Sequence, residues 1–313
     1  MNNIIIIIIP VYNESNNIYP LYQRLAQINF KNNQFNFCYL FINDGSTDDS
    51  LAVLKKLAQE DVKVKVIDLS RNFGKEIAMT AGVHEAVNAD AIICIDADLQ
   101  HPPELIPVLV EKWKEGFDIV ATIRKSIDNQ PLLKRIGSHI FYWIMGKISG
   151  LQIKSQTTDF RLYDRKVIEA FKRATERERM FRGIMDWLGF RKAYVEFEAV
   201  ARQQGEAGYS YKKLIGLAIS SITAFSLWPL RITGYLGLLI TSVSGLLLIW
   251  MLLNYFVNIK YEYTLLAMVV VANTFFIGIV LMAIGLVALY IGTIHTEVIN
   301  RPLYVVREKI NFE

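Results

Sequence analysis

The sequence is poor in the residues on which small secreted and zinc-stapled folds depend. Its 313 residues include two cysteines and four histidines. Cys38 and Cys94 both fall in apolar, strand-like runs, which points to reduced, buried thiols and away from a disulfide framework. The histidines, at 84, 101, 139 and 295, show no ligand spacing and read as core or surface residues. The opening MNNIIIIII has no basic segment and meets Pro10 after six isoleucines, so it reads as a strand and not as a signal peptide. There is no internal repeat or low-complexity tract. No basic stretch is interleaved with aromatics in the manner of a nucleic-acid-reading module, so no nucleic-acid partner is expected. A membrane-facing basic rim accounts for the formal charge of +4.

Charge itself is missing from two long stretches. Ile232 to Ile259 and Thr264 to His295 contain no Asp, Glu, Lys or Arg, and each exceeds the roughly 20 residues that cross a bilayer. The expectation is a two-helix transmembrane hairpin over 232–294, with spans at about 232–256 and 264–292. Lys212, Lys213 and Arg231 precede it and Arg301, Arg307 and Lys309 follow it. Positive loops stay inside, which places both termini on the cytoplasmic side of the inner (plasma) membrane and Lys260 to Tyr263 on the far side. Residues 209–231 are apolar but dotted with Lys, Ser and Trp228-Pro229, so they read as an interfacial amphipathic segment, with a plain linker as the alternative. Residues 295–313 form a cytoplasmic tail in this scheme. Gly278 and Gly285, with Ala283 and Ala288, offer a small-residue face for a homo-oligomer.

Residues 1–208 have a different pattern. Short apolar runs at Ile4–Ile9, Phe37–Ile42, Val64–Leu69, Ala91–Ile95 and Asp118–Ile123 alternate with helical segments at Ser15–Gln27, after Asp48 and at Gly74–Val87. That alternation predicts an α/β fold with a doubly wound, mainly parallel sheet. The stretch AIICIDADLQHPPE stands out, because its strand stops at two carboxylates one residue apart, Asp96 and Asp98. Open α/β sheets bind ligands beyond the carboxyl ends of their strands. Hard oxygens there suit Mg²⁺ or Mn²⁺ bridging to a diphosphate, although a solvated acidic turn would look the same.

With PVYNE, DGSTDDS, RNFGKE, DADLQHPPE, DFRLYDR, RGIMDWLG and RQQGEAGYSYKKL in this order, the chain resembles the family-two inverting glycosyltransferases. Within them it is similar to the polyprenyl-phosphate, dolichyl-phosphate-mannose-synthase-like group. The tail YIGTIHTEVINRPLYVVRE with two spans looks like the bacterial undecaprenyl-phosphate glucosyltransferase branch. The resemblance implies a GT-A-type catalytic domain, a nucleotide sugar donor such as UDP-glucose, a polyprenyl phosphate acceptor and a divalent metal. Mannose, an N-acetylhexosamine or an amino-arabinose remain open as the sugar.

By position, the resemblance assigns Pro10, Tyr12, Glu14 and Asp44 to the nucleoside, and Asp96, Asp98 and Gln100 to the metal and diphosphate. Lys75, Arg182 and Arg202 fall on the donor side, and Arg124, Arg135 and Ser138 on the acceptor phosphate. Asp159 is left open between a base, a residue orienting an arginine or the sugar, and a structural cap. The loop after Arg202 departs from the family pattern, with Ala207 after Glu206 and Gly208 where lysine is frequent. The Q-x-x-R-W signature of processive synthases is missing, which implies one transfer per encounter. A flippase subunit and a catalytically dead sensor are the competing classes. The spans contain no charge and only Asn254 and Asn273 as amides, which is little for a transport path.

Overall fold

The computed structural model describes residues 3–28, 35–125, 157–177, 179–198 and 265–312. The expected interfacial segment and the first expected span lie outside those residues. The chain divides into two units, Met1–Tyr209 with Arg301–Glu313, and Ser210–Asn300.

The first unit is built on β1 (Asn3–Val11), β2 (Phe35–Asn43), β3 (Val64–Leu69) and β4 (Ala91–Cys94), paired in parallel in the order β4-β1-β2-β3. The helices between them are α1 (Ser15–Ala26), α2 (Ser50–Glu60) and α3 (Lys75–Glu85). The isoleucine run of β1 feeds both faces of the sheet, as a strand covered on two sides requires. Ile5, Ile7 and Ile9 pack with Ile18, Leu21 and Leu25 of α1. On the other face α3 approaches so closely that a Cβ on Gly82 would lie 2.4 Å from Ile8 Cγ2.

Pro10 does not end β1 as the sequence suggests. It stays in register opposite Ile42. The reason lies in the parallel ladder, where residues of one parity face one neighbour. Ile8 faces β4, because its carbonyl accepts from Ile95 N–H, and the β1–β4 pairing stops there. Pro10 faces the same way, past the end of β4, where no N–H is required.

Beyond β4 the sheet stops following sequence order. A 3₁₀ turn (Pro103–Leu105) leads to α4 (Ile106–Lys114) and β5 (Ile119–Arg124). The next strand, β6 (Thr157–Asp164), then inserts antiparallel between β4 and β5. After α5 (Arg165–Lys172) and α6 (Phe181–Trp187), β7 (Lys192–Phe197) closes this side, parallel to β5. On the opposite edge β8 (Val306–Ile310) pairs antiparallel with β3. Among the described residues the sheet is β7-β5-β6-β4-β1-β2-β3-β8. The C-terminal segment is thus part of the sheet. It is pinned further by Lys309–Glu85 at 2.7 Å and by Asn311 Nδ2, which donates to the carbonyls of Ala58 and Val64. Both cysteines are free, with Cys94 buried and Cys38 partly so.

Within the second unit the described element is α7, Leu265–Ile299, a helix of 35 residues. By the described side chains alone, no helix is long and apolar enough to cross a membrane.

Candidate active site

Three loops at the carboxyl ends of β1, β2 and β3 lock together. Asn13 adopts a positive φ of 56°, a conformation its short polar side chain tolerates. Its Oδ1 accepts from Thr47 N–H at 2.8 Å, and its own N–H donates to Ser46 Oγ at 3.1 Å. Glu14 N–H donates to Ser50 Oγ at 3.0 Å. Asp44 receives the amides of Phe73 and Gly74 at 2.7 and 2.9 Å, which draws the RNFGK loop onto the second turn. Burial raises the Asp44 carboxyl above its ordinary value, against the pull of those two amides. Gly45, at φ +62°, sits so near that a Cβ would lie 2.4 Å from the carbonyl carbon of Arg71. Pro10, Tyr12, Glu14 and Asp44 all belong to this rim, and Tyr12 is exposed at it.

The acidic turn follows β4. Leu99 is held at φ 62°, an uncommon conformation for a branched apolar residue and typical of strain at a working site. That kink lets Gln100 donate twice to Asp98, from its backbone at 3.1 Å and from Nε2 at 2.8 Å. The Gln100 side-chain oxygen, Oε1, then accepts from Arg124 Nη2 at 2.8 Å. Gln100 thus links the acid pair to Arg124 through its side-chain amide. His101 also stands beside the acid pair. Candidate ligand atoms of Asp96, Asp98 and His101 all lie within 4.8 Å of one another. The imidazole is buried between Phe160 and Phe197, with ring centroids 5.6 and 6.0 Å away. Among the described residues its Nδ1 has no hydrogen-bond partner, and it lies 3.7 Å from Asp96 Oδ2. Burial pushes its pKa down, against Asp96 and Asp98, which favours the neutral form that ligates metals. Two carboxylates and a buried nitrogen that has no hydrogen-bond partner among the described residues fit a divalent cation.

Beside this turn lies a charged cluster assembled from distant segments. Lys75, the first residue of α3, bridges Asp96 Oδ1 at 2.6 Å and Asp159 Oδ2 at 2.7 Å. Arg182 of α6 approaches the other Asp159 oxygen at 3.7 Å and donates to the Thr157 carbonyl at 3.0 Å. Burial would lower the Lys75 pKa, but the two carboxylates outweigh it and hold the ammonium charged. Burial likewise opposes charge on Asp159, yet Lys75 and Arg182 press its carboxyl below the ordinary carboxylate range. Beneath it the buried Arg161 donates to the Thr158 carbonyl at 2.8 Å and pairs with Asp186 at 3.1 Å, which Lys192 also reaches at 2.8 Å. Glu76 accepts the N–H of Phe181 and fixes the start of α6 to α3.

The structure thus brings Lys75, Asp96, Asp98, Gln100, Arg124, Asp159 and Arg182 to one region. Arg135, Ser138 and Arg202 lie outside the described residues. His101, read from the sequence as a core or surface residue, carried one signal, its place three residues after Asp98 in the same turn. Sequence reasoning passed over Arg161 and Asp186, whose pairing needs the β6 insertion to be known.

Residues 6–171 match glycosyl transferase family 2. The chain belongs to that family. An uncharacterised glycosyltransferase of Bacillus subtilis, YkcC, is 38% identical over 98% of this chain and 94% of its own length. A prophage-derived bactoprenol glucosyl transferase of Shigella flexneri is 37% identical over 96% of this chain and 97% of its own. Among solved structures, S. aureus TarS 1–349 in complex with UDP-GlcNAc gives a TM-score of 0.50 at 16% identity, covering 70% of this chain and 65% of that one. This likeness concerns the fold alone, and it agrees with a GT-A-type α/β domain.

Proposed function

We propose that this family 2 glycosyltransferase moves glucose from UDP-glucose to the phosphate of a polyprenyl, undecaprenyl-type lipid, with inversion at the anomeric carbon to give a β-linked product. The near full-length likeness to bactoprenol glucosyl transferases, at 36–37% identity, supports the substrates. The observation that carries the mechanism is the double pairing of Asp159 with Lys75 and Arg182. A carboxylate held that acidic is a poor proton acceptor near neutral pH, where an efficient general base has a pKa close to the working pH. A sugar hydroxyl would need such a base. A lipid phosphate monoester has a second pKa of about 6 and is mostly a dianion at neutral pH, so it serves as its own nucleophile.

Asp96, Asp98 and His101 would hold Mg²⁺ or Mn²⁺, which offsets the negative charge that grows on a departing diphosphate. Lys75 keeps Asp96 and Asp159 at a fixed separation and brings its own positive charge beside the acid pair. Arg124, oriented by the Gln100 side-chain oxygen, stands next to that turn and suits a phosphate oxygen of the acceptor. The nucleoside falls to the rim formed by Tyr12, Glu14 and Asp44.

The membrane reading belongs to the same proposal. At about 1.5 Å per residue the α7 backbone is long enough for the roughly 30 Å hydrocarbon core, and its sequence carries no Asp, Glu, Lys or Arg before Glu297. Val280, Ile284, Val287, Ile291, Ile294 and Val298 form one exposed apolar stripe along it, a face that suits lipid better than water. Both termini would then be cytoplasmic and the protein an inner-membrane one, open to homo-oligomer formation.

The test is turnover of labelled UDP-glucose, UDP-N-acetylglucosamine and GDP-mannose with polyprenyl phosphate, and the anomeric configuration of the product. The expected result is a β-linked glucosyl lipid formed fastest from UDP-glucose. An α-linked product, or efficient transfer to a sugar hydroxyl without the lipid phosphate, would overturn the mechanism.

A further inference from the structure

Asp68, near the end of β3, is fully buried. One of its oxygens accepts from Asn43 Nδ2 at 2.7 Å. The other pairs with Arg307 Nη1 of β8 at 3.1 Å, while Arg307 Nη2 donates to the Ser70 carbonyl at 2.7 Å. A buried carboxylate is costly unless a cation and hydrogen bonds satisfy it. The forked guanidinium answers that need and spans a carboxylate and a carbonyl at once, which a lysine cannot reproduce.

Both strands that Arg307 clamps run directly into the donor rim. Asn43 precedes Asp44, and its Oδ1 accepts from Ser46 N–H at 3.4 Å. Ser46 in turn accepts from Asn13 N–H. Ser70 precedes the Arg71-to-Lys75 loop, whose Phe73 and Gly74 amides bind Asp44 and whose Lys75 bridges Asp96 and Asp159. The β3–β8 register shifts at Asp68/Leu69, the same point, and such irregularities re-aim the chain beside working sites.

We propose that Arg307 is a positioning residue for the donor nucleotide. Through Asp68 and Asn43 it sets the Asp44 turn, and through Ser70 it sets the loop that closes on that turn. Donor affinity is thereby tuned by the chain segment that follows α7. The inference rests on the reading of the Asp44 rim as the nucleoside site.

The experiment uses the full-length protein in detergent, with UDP titrated calorimetrically in the presence of Mn²⁺ and steady-state kinetics run on UDP-glucose and polyprenyl phosphate. Arg307→Gln should weaken UDP binding and raise the donor KM about tenfold, in the range for groups that orient a site from behind, while kcat and the lipid KM stay within about twofold. Arg307→Lys, which keeps the charge without the fork, should fall between wild type and Arg307→Gln. It carries the test alone if Arg307→Gln does not fold. Glu308→Gln, on the same strand in the exposed pair with Lys55, should leave UDP affinity unchanged. An Arg307 variant that melts earlier yet binds UDP as tightly as wild type below its melting temperature would overturn the inference, since β8 would then be structural only. Asp44→Ala separates the two layers. If it loses UDP affinity and the Arg307 variants do not, only the inference fails, whereas if it binds UDP normally the nucleoside site itself is misplaced.

Discussion

On the proposed nucleoside side of the site, Asn13, Ser46 and Ser50 hold the loops with neutral side chains that accept from the backbone amides of Thr47, Asn13 and Glu14, and Asp44 spends both oxygens on the amides of Phe73 and Gly74. On the proposed metal side, Lys75, Asp96, Asp159 and Arg182 hold one another by charge, with Arg161, Asp186 and Lys192 paired underneath. Neutral bonds to amides fix shape and tolerate small losses, each contributing about 1 kcal/mol. A partly buried network of opposite charges is less forgiving, because removing one member leaves its partners uncompensated. The contrast predicts that substitutions on the metal side will act mainly on turnover, and those on the nucleoside side mainly on donor affinity.

The largest effect is expected at the acid pair. Asp98→Ala should lower kcat by about 10³-fold or more, because it removes both a proposed cation ligand and the partner that orients Gln100 and through it Arg124. Circular dichroism of the variant should match wild type. Undiminished turnover in a folded Asp98→Ala protein, or in excess chelator, would refute the metal-side assignment. Lys75→Met comes next, with a fall in kcat of about 10²-fold, since Asp96 and Asp159 would repel each other without the ammonium between them. Paired with Asp159→Ala, it should show losses well short of additive. Additive losses would mean that the two residues work apart.

Gly45→Ala probes the other side. Its new Cβ would press on the Arg71 backbone in a conformation that costs an L-residue about 1–2 kcal/mol. The donor KM should rise about tenfold, the equivalent of about 1.4 kcal/mol, with kcat little changed. A fall in kcat at unchanged donor KM would erase the distinction between the two sides.

The same contrast explains what the sequence disclosed. The rim around Asp44 was legible as a set of loops because its residues sit in turns that directly follow strands, and strand, turn and helix alternate there in the order a parallel sheet demands. The acid pair was legible for the same reason. The charged cluster was not, because Asp159 rides on β6, which enters antiparallel between two strands that precede it in the chain. Nothing in DFRLYD states that destination: the run alternates poorly and reads equally as a cap. Lys75 was placed with the donor, but its bridging role needs Asp159 to have arrived. The tail was read only as the segment that follows the second span. It forms a strand because it lies at the sheet edge, where charged side chains can face water, and because Asp68 offers Arg307 a buried partner.

The smallest expected change is a shift that should not occur, and it tests the role of Asp159. Its carboxyl pKa is depressed, so the stability it contributes is present above the ordinary carboxylate range and is lost only as the pH falls through the lower folded value. Across a working range of about pH 5 to 9 it stays ionised and cannot set an inflection in rate. The lipid phosphate does titrate there, so kcat/KM for the acceptor should drop about tenfold per pH unit below roughly pH 6 as the dianion takes up a proton. Asp159→Asn should lower the whole profile, since Lys75 and Arg182 lose their partner, while the inflection stays within about 0.3 unit of wild type. If Asp159 were the base, the acidic limb would belong to it, and the asparagine variant would lose that limb. A flat profile in Asp159→Asn would therefore transfer the nucleophile's activation from the lipid phosphate to the protein.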